Sequence, residues 1–169
     1  GKLRAVTSRV TSGLSPAPLA EHLERPGEGA EDGGAEGEDG FDGHIGHYVG
    51  DGILVYFGYP RAHEDDPRRA VQAGLEIVEA VQALNSGTAP PGVDIAVRIG
   101  ISTGLVVAGD IGAGEFRDEM AVVGETPNLA ARLQDLAEPG AVVVGESTRR
   151  LVEGLFVFDE LGPRTVRGI

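Results

Sequence analysis

Two short runs rich in β-branched and aromatic residues, His44-Ile-Gly-His-Tyr-Val49 and Ile53-Leu-Val-Tyr-Phe57, flank Gly50-Asp51-Gly52, and no other feature restricts the fold as much. An Asp-Gly between such runs is a strong short-range hairpin signal, because these residues accept the positive φ of a tight turn. A helix follows at once. Asp66 is a natural N-cap, and Pro67 suits the first helical position, where its missing N–H costs nothing. Val71, Leu75, Val78, Val81 and Leu84, or positions near them, supply an apolar stripe, and Asn85-Ser-Gly87 stops it. Beyond a Pro/Gly loop, Thr88 to Gly92, comes a strand from Val93 to Thr103. It places Ile95, Val97, Ile99 and Ile101 on one face.

The rest reads as shorter pieces: a strand over Leu105–Ala108, a glycine-rich turn over Gly109–Gly114, and a strand over Glu119–Gly124. A helix over Pro127–Leu136, a strand over Ala141–Val144, a helix over Ser147–Val152 and a strand over Phe156–Asp159 follow. Hairpins and helices interleave without strict βαβα alternation. That order predicts an α+β fold, a ferredoxin-like split βαβ sheet with helices packed on one face.

The chain has 169 residues, enough for one domain with a sizeable core. It contains no cysteine, which excludes disulfides, Cys-ligated zinc, iron–sulfur clusters and thiol catalysis. With 14 basic residues against 27 acidic ones its net charge is −13, so nucleic acid and anionic membrane surfaces are poor partners. No apolar run is long enough to span a bilayer, and no basic-then-apolar leader opens the chain, which predicts a cytoplasmic protein. The acidity is concentrated. Glu21 to Gly43 holds nine acidic residues against Arg25 as its only Lys or Arg, with abundant glycine. Residues 1–43 are therefore expected to form a partly disordered acidic segment, with a strand over Ala5–Thr11, and residues 44–169 the folded domain.

Two segments carry chemistry. Asp51 sits at the hairpin tip, where a carboxylate between two strands suits a magnesium ligand; a turn that merely favours Asp-Gly explains it equally. In Val122-Val-Gly-Glu-Thr-Pro-Asn-Leu-Ala-Ala-Arg-Leu133, Thr126 and Pro127 open a helix. Leu129, Leu133 and Leu136 are expected to face the core, while Asn128 and Arg132 share a neighbouring stripe at i, i+4 and can reach one ligand. Spacing alone leaves an ordinary surface pair as the other reading. His44 and His47, three apart on a strand, point to opposite faces and make no natural metal pair.

Three runs in order, His47-Tyr-Val-Gly-Asp-Gly-Ile-Leu-Val-Tyr-Phe57, Arg98-Ile-Gly-Ile-Ser-Thr-Gly104 and Val123-Gly-Glu-Thr-Pro-Asn-Leu-Ala-Ala-Arg-Leu133, resemble the class III adenylyl/guanylyl cyclase catalytic domain. The likeness is greatest to the bacterial branch in which a cyclase domain precedes an ATPase and helical repeats. It implies a head-to-tail homodimer, or a heterodimer with another cyclase domain, whose active sites use both chains. It also implies ATP or GTP as substrate, Mg²⁺ or Mn²⁺ as cofactor, and a fused or partner ATPase. By this resemblance Asp51 matches the second of two metal-binding aspartates. Asn128 matches the residue that positions the ribose, and Arg132 the one that stabilises α-phosphate charge. His47 and Ala121 stand at the purine-reading positions, and Arg167 matches a lysine that grips the terminal phosphates.

The match has gaps. The family's first metal aspartate lies in a strand motif expected here near Thr7, where Ala5-Val-Thr-Ser-Arg-Val-Thr11 contains no acid. His47 replaces a common lysine and Ala121 a common Asp or Thr. The domain is also expected to be truncated at both ends. These departures support a rival reading, a non-catalytic cyclase-like module that dimerises and regulates an ATPase or signalling protein.

Overall fold

The computed structural model describes residues 2–12, 41–49, 52–59, 61–87, 95–111 and 118–162. The acidic stretch before Phe41, residues 88–94 and the segment after Gly162 lie outside the described residues.

The first strand, β1 (Lys2–Ser12), pairs antiparallel with two others. On one side is β3 (Gly52–Phe57), which forms the expected hairpin with β2 (His44–Val49). On the other side is β4 (Val97–Ile111), which pairs along the whole of β1, from Lys2 opposite Val107 to Ser12 opposite Val97. Because β1 opposes both, β3 and β4 run parallel with β1 between them. The connection is helix α1 (Asp66–Gly87), and the unit is the split βαβ that the element order predicts. The far edge of β4 is shared. β6 (Ala141–Val144) pairs parallel with Arg98–Ile101, and β5 (Asp118–Val123) pairs antiparallel with Val107–Ile111. Helix α2 (Glu125–Leu136) joins β5 to β6, and the short α3 (Glu146–Leu151) follows.

The main core lies between α1 and one sheet face. Ile53, Val55, Phe57, Val97, Ile99 and Ile101 pack there against Ala70, Val71, Ala73, Ile77, Val78 and Val81, with Ile95 alongside as the alternation predicts. The helix face differs from the expected stripe: Leu75 and Leu84 are 42% and 45% exposed. The buried face is centred on Gly74, which faces Ile101 and Val142; Leu75, one residue on, is turned about 100° away.

Four further expectations are corrected. Leu105–Ala108 is not a separate strand; β4 continues through it to Ile111, with a register shift against β5 between Gly109 and Ile111, and residues 112–114 of the expected turn lie outside the described residues. Phe156–Asp159 forms no strand; Phe156 packs on the core while Val157 is fully exposed. The register of β2 shifts between Ile45 and His47, so the strict alternation behind the opposite-face reading of His44 and His47 is interrupted. Finally, a single helical face describes α1 and α3 but not α2. Consecutive strand residues point to opposite faces; Ile101 meets α1, whereas Gly100 meets α2.

Ion pairs tie the approach to β2 onto α1. Arg69 bridges Asp42 at 2.6 Å and Asp65 at 2.9 Å. Partial burial would raise the Asp65 carboxyl, but Arg69 and Arg68 outweigh it and hold it below its ordinary value. Asp66, only 4% exposed, behaves oppositely: burial pushes its carboxyl up, although it accepts the His63 N–H at 2.8 Å. No helix among the described residues is long and apolar enough to cross a membrane.

Candidate active site

Helix α2 is positioned from beneath by the absence of side chains. Cβ atoms at Gly100 and Gly104, four residues apart on one face of β4, would overlap α2: the first its backbone at Ala130 and Gln134, the second the hydroxyl of Thr126. The glycines let the helix rest directly on the strand backbone. At the helix entry Gly124 takes φ 157, a conformation that favours glycine, and turns the chain from β5 into α2. Thr126 is not the expected N-cap. Gly124 occupies that position without a side-chain cap, and the Thr126 hydroxyl donates instead to the Leu105 carbonyl at 3.3 Å. The buried side of α2 is Thr126, Ala130, Leu133 and Gln134; Leu136, expected inside, is 37% exposed. Leu133 also meets Gly145, whose N–H donates to Ile101 O at 2.9 Å and so ties the start of α3 to β4.

At about 100° per residue, Asn128 lies about 200° and Arg132 about 240° round the helix from Thr126, away from the strand. The structure thus brings these two together on an outward face, as their spacing predicts. Asn128 is exposed, its amide only loosely engaged with the Gly124 carbonyl at 3.5 Å. Arg132 is half-buried and has no hydrogen-bond or ion-pair partner among the described residues. A guanidinium with no partner among the described residues, beside a loosely held carboxamide, suits an oxygen-rich anionic ligand.

His47 lies on β2 opposite Leu54, and Ala121 on β5 opposite Gly109. These strands are distant in the sheet order, yet the sheet brings residues of β2 and β5 within 8 Å, Cα to Cα. Asp51 and Arg167 lie outside the described residues. Sequence reasoning missed Gly100, Gly104 and Thr126 as determinants of the site. The available signal was the even spacing of the two glycines within a strand, which marks a close approach rather than a break.

The strand that pairs with β3 supplies no carboxylate for a pair of divalent ions. β1 reads Lys-Leu-Arg-Ala-Val-Thr-Ser-Arg-Val-Thr-Ser and contains no acid. The part of β1 that reaches the hairpin is not Thr7, which pairs with Tyr56 at mid-strand, but Thr11, which pairs with Gly52 next to Asp51 in sequence. Among the described residues, no group of three or more His, Asp or Glu could hold a metal.

The family described as the adenylate and guanylate cyclase catalytic domain matches residues 47–169. An adenylate cyclase of Mycobacterium bovis is 29% identical over 119 residues, covering 70% of this chain and 26% of the relative. An uncharacterized protein of Rhizobium meliloti is 32% identical over 122 residues, covering 72% of this chain and 12% of the relative. The chain therefore spans about a quarter or less of these two relatives. The crystal structure of the adenylyl cyclase CyaB from P. aeruginosa superposes with a TM-score of 0.75 at 22% identity, covering 100% of this chain and 90% of that one. The family match over residues 47–169, most of the chain, carries the conclusion: this chain belongs to the adenylate and guanylate cyclase catalytic domain family.

Proposed function

We propose that the chain is a cytoplasmic nucleotide cyclase domain that converts ATP to 3′,5′-cyclic AMP and pyrophosphate in intracellular signal transduction. The observation that carries this reading is the placement of Asn128 beside Arg132, which has no partner among the described residues, on the outward face of α2. In the reaction the ribose 3′-hydroxyl attacks the α-phosphorus. A new O–P bond forms, the bond to the β-phosphate oxygen breaks, the hydroxyl proton is released, and pyrophosphate leaves. Asn128 holds the ribose so that the hydroxyl is in line with the leaving group. Arg132 neutralises charge that builds on the α-phosphate oxygens, an effect largest in the transition state. His47 and Ala121 line the purine and Arg167 the terminal phosphates; the family description covers both adenylate and guanylate cyclases, so GTP is the competing substrate. A homodimer, or a heterodimer with another cyclase domain, completes the site, and a fused or partner ATPase is the downstream element.

One observation favours a second reading. With no acid on β1, Asp51 is the sole matched carboxylate for Mg²⁺ or Mn²⁺. A chain so equipped serves as a non-catalytic dimerisation and regulatory module. The deciding experiment measures cyclic nucleotide formation by the purified chain with Mg²⁺ or Mn²⁺, supplying ATP and GTP separately, with Asp51→Ala beside it. Product that vanishes in the variant supports the enzyme and names its purine. A folded, dimeric sample that forms none refutes it in favour of the module.

A further inference from the structure

We infer that Thr126 is a positioning residue for the cyclase site: its hydroxyl, seated over Gly104 and donated to the Leu105 carbonyl, sets where Asn128 and Arg132 stand. The inference rests on the functional reading above for its catalytic consequence, and on geometry for the rest. Thr126 is 6% exposed and lies in the first turn of α2, whose N-terminus has no side-chain cap. Its hydroxyl donates across the helix–strand interface to Leu105 O at 3.3 Å, rather than to its own helix. Further along, α2 is held by backbone contact at Gly100 and by Leu133 against Gly145. Before it, Gly124 lies close to the Leu105 carbonyl and Val123 pairs with Val107; within the first turn, which carries Asn128, Thr126 makes the side-chain contact to β4. Asn128 is two residues away on the opposite side of the helix, so a small outward tilt of this turn moves its amide directly. Arg132, a turn further along and nearer the Gly100 contact, moves less.

Asn128 acts on ribose orientation and hence on the chemical step, so loosening the turn should lower kcat while leaving KM nearly unchanged. Three variants separate hydroxyl, shape and stability. Thr126→Val keeps the shape and removes the donor; Thr126→Ser keeps the donor; Thr126→Ala removes both. Each is followed by cyclic nucleotide turnover, by hydrogen–deuterium exchange of residues 125–136, and by thermal melting. Thr126→Val is expected to lower kcat by about tenfold with KM within about twofold, and to speed exchange in the first turn of α2 selectively. Thr126→Ser should recover turnover to within about threefold and restore slow exchange. If Thr126→Val exchanges like the wild type, the pinning is wrong, whatever the activity. If exchange rises but turnover falls only in step with the folded fraction, the catalytic role is overturned. If the wild-type chain forms no product, the functional reading has failed, and the exchange comparison alone decides whether Thr126 holds the turn.

Discussion

Replacing Gly100 with alanine tests the central geometric statement about this domain. A glycine inside a strand is ordinarily a weakness, and alanine there gains roughly 0.5–1 kcal/mol from reduced chain entropy. At Gly100 the new Cβ would overlap the Ala130 carbonyl and the Gln134 amide, both backbone atoms that no rotamer change can move. Restoring ordinary contact at 3.4–4 Å requires the middle of α2 to retreat by about 1 Å, opening the interface that buries Ala130 and Leu133. Overpacking of this kind costs about 1–3 kcal/mol, which outweighs the entropic gain. For a domain of this size the melting temperature should fall by roughly 2–10 °C. Gly74 on α1 supplies the contrast. A Cβ there would meet Ile101 and Val142 at 3.5 Å, ordinary contact, and alanine is about 1 kcal/mol better than glycine within a helix. Gly74→Ala should therefore raise the melting temperature by roughly 2–4 °C. Differential scanning calorimetry of both variants settles the matter. Opposite shifts are expected; a Gly100→Ala protein that melts at or above the wild-type temperature would refute the claim that α2 rests on the β4 backbone.

If Arg132 stabilises the transition state, Arg132→Ala should lower kcat by roughly two orders of magnitude or more with little change in KM; a large KM rise at unchanged turnover would remove that role. The pH dependence of stability should separate the neighbouring acids Asp65 and Asp66. The folded carboxyl of Asp66 is raised above 3.8 by burial, so the folded state binds its proton more tightly, and ionisation costs stability as pH rises from 3.8 through the folded value. Asp66→Asn keeps an acceptor for the His63 N–H and never ionises, so its melting temperature relative to wild type should climb over that window. The Asp65 carboxyl is lowered by Arg69 and Arg68 despite partial burial; its stabilisation is full above 3.8 and fades as pH falls through the folded value, so Asp65→Asn should lose ground as pH rises. Calorimetric scans between about pH 3 and 7 read both slopes, and a shared sign would contradict the assigned environments.

What the sequence determined by itself was local. Asp-Gly between two β-rich runs specifies a hairpin, Pro67 behind Asp66 starts a helix, alternation from Ile95 to Ile101 gives a one-sided strand, and Ala141–Val144 is a strand to the residue. Each follows from backbone preference or from periods of two and 3.6, which neighbouring residues carry between them. The i, i+4 pairing of Asn128 with Arg132 was legible for the same reason. Only the tertiary structure decided what each face meets. Gly104 looked like a break and proved to be a seat for Thr126, because a missing side chain is informative only once its opposite number is known. Leu75 and Leu136 matched helical spacing yet stand outside, since burial is centred where α1 and α2 touch the sheet. The Thr126 hydroxyl found a strand carbonyl twenty-one residues back in the chain rather than its own helix end. The sharing of β4's far edge between β5 and β6, and the passage of α2 to the face opposite α1, likewise depend on contacts between segments distant in sequence. Local propensity holds no record of such contacts, and packing alone selects them.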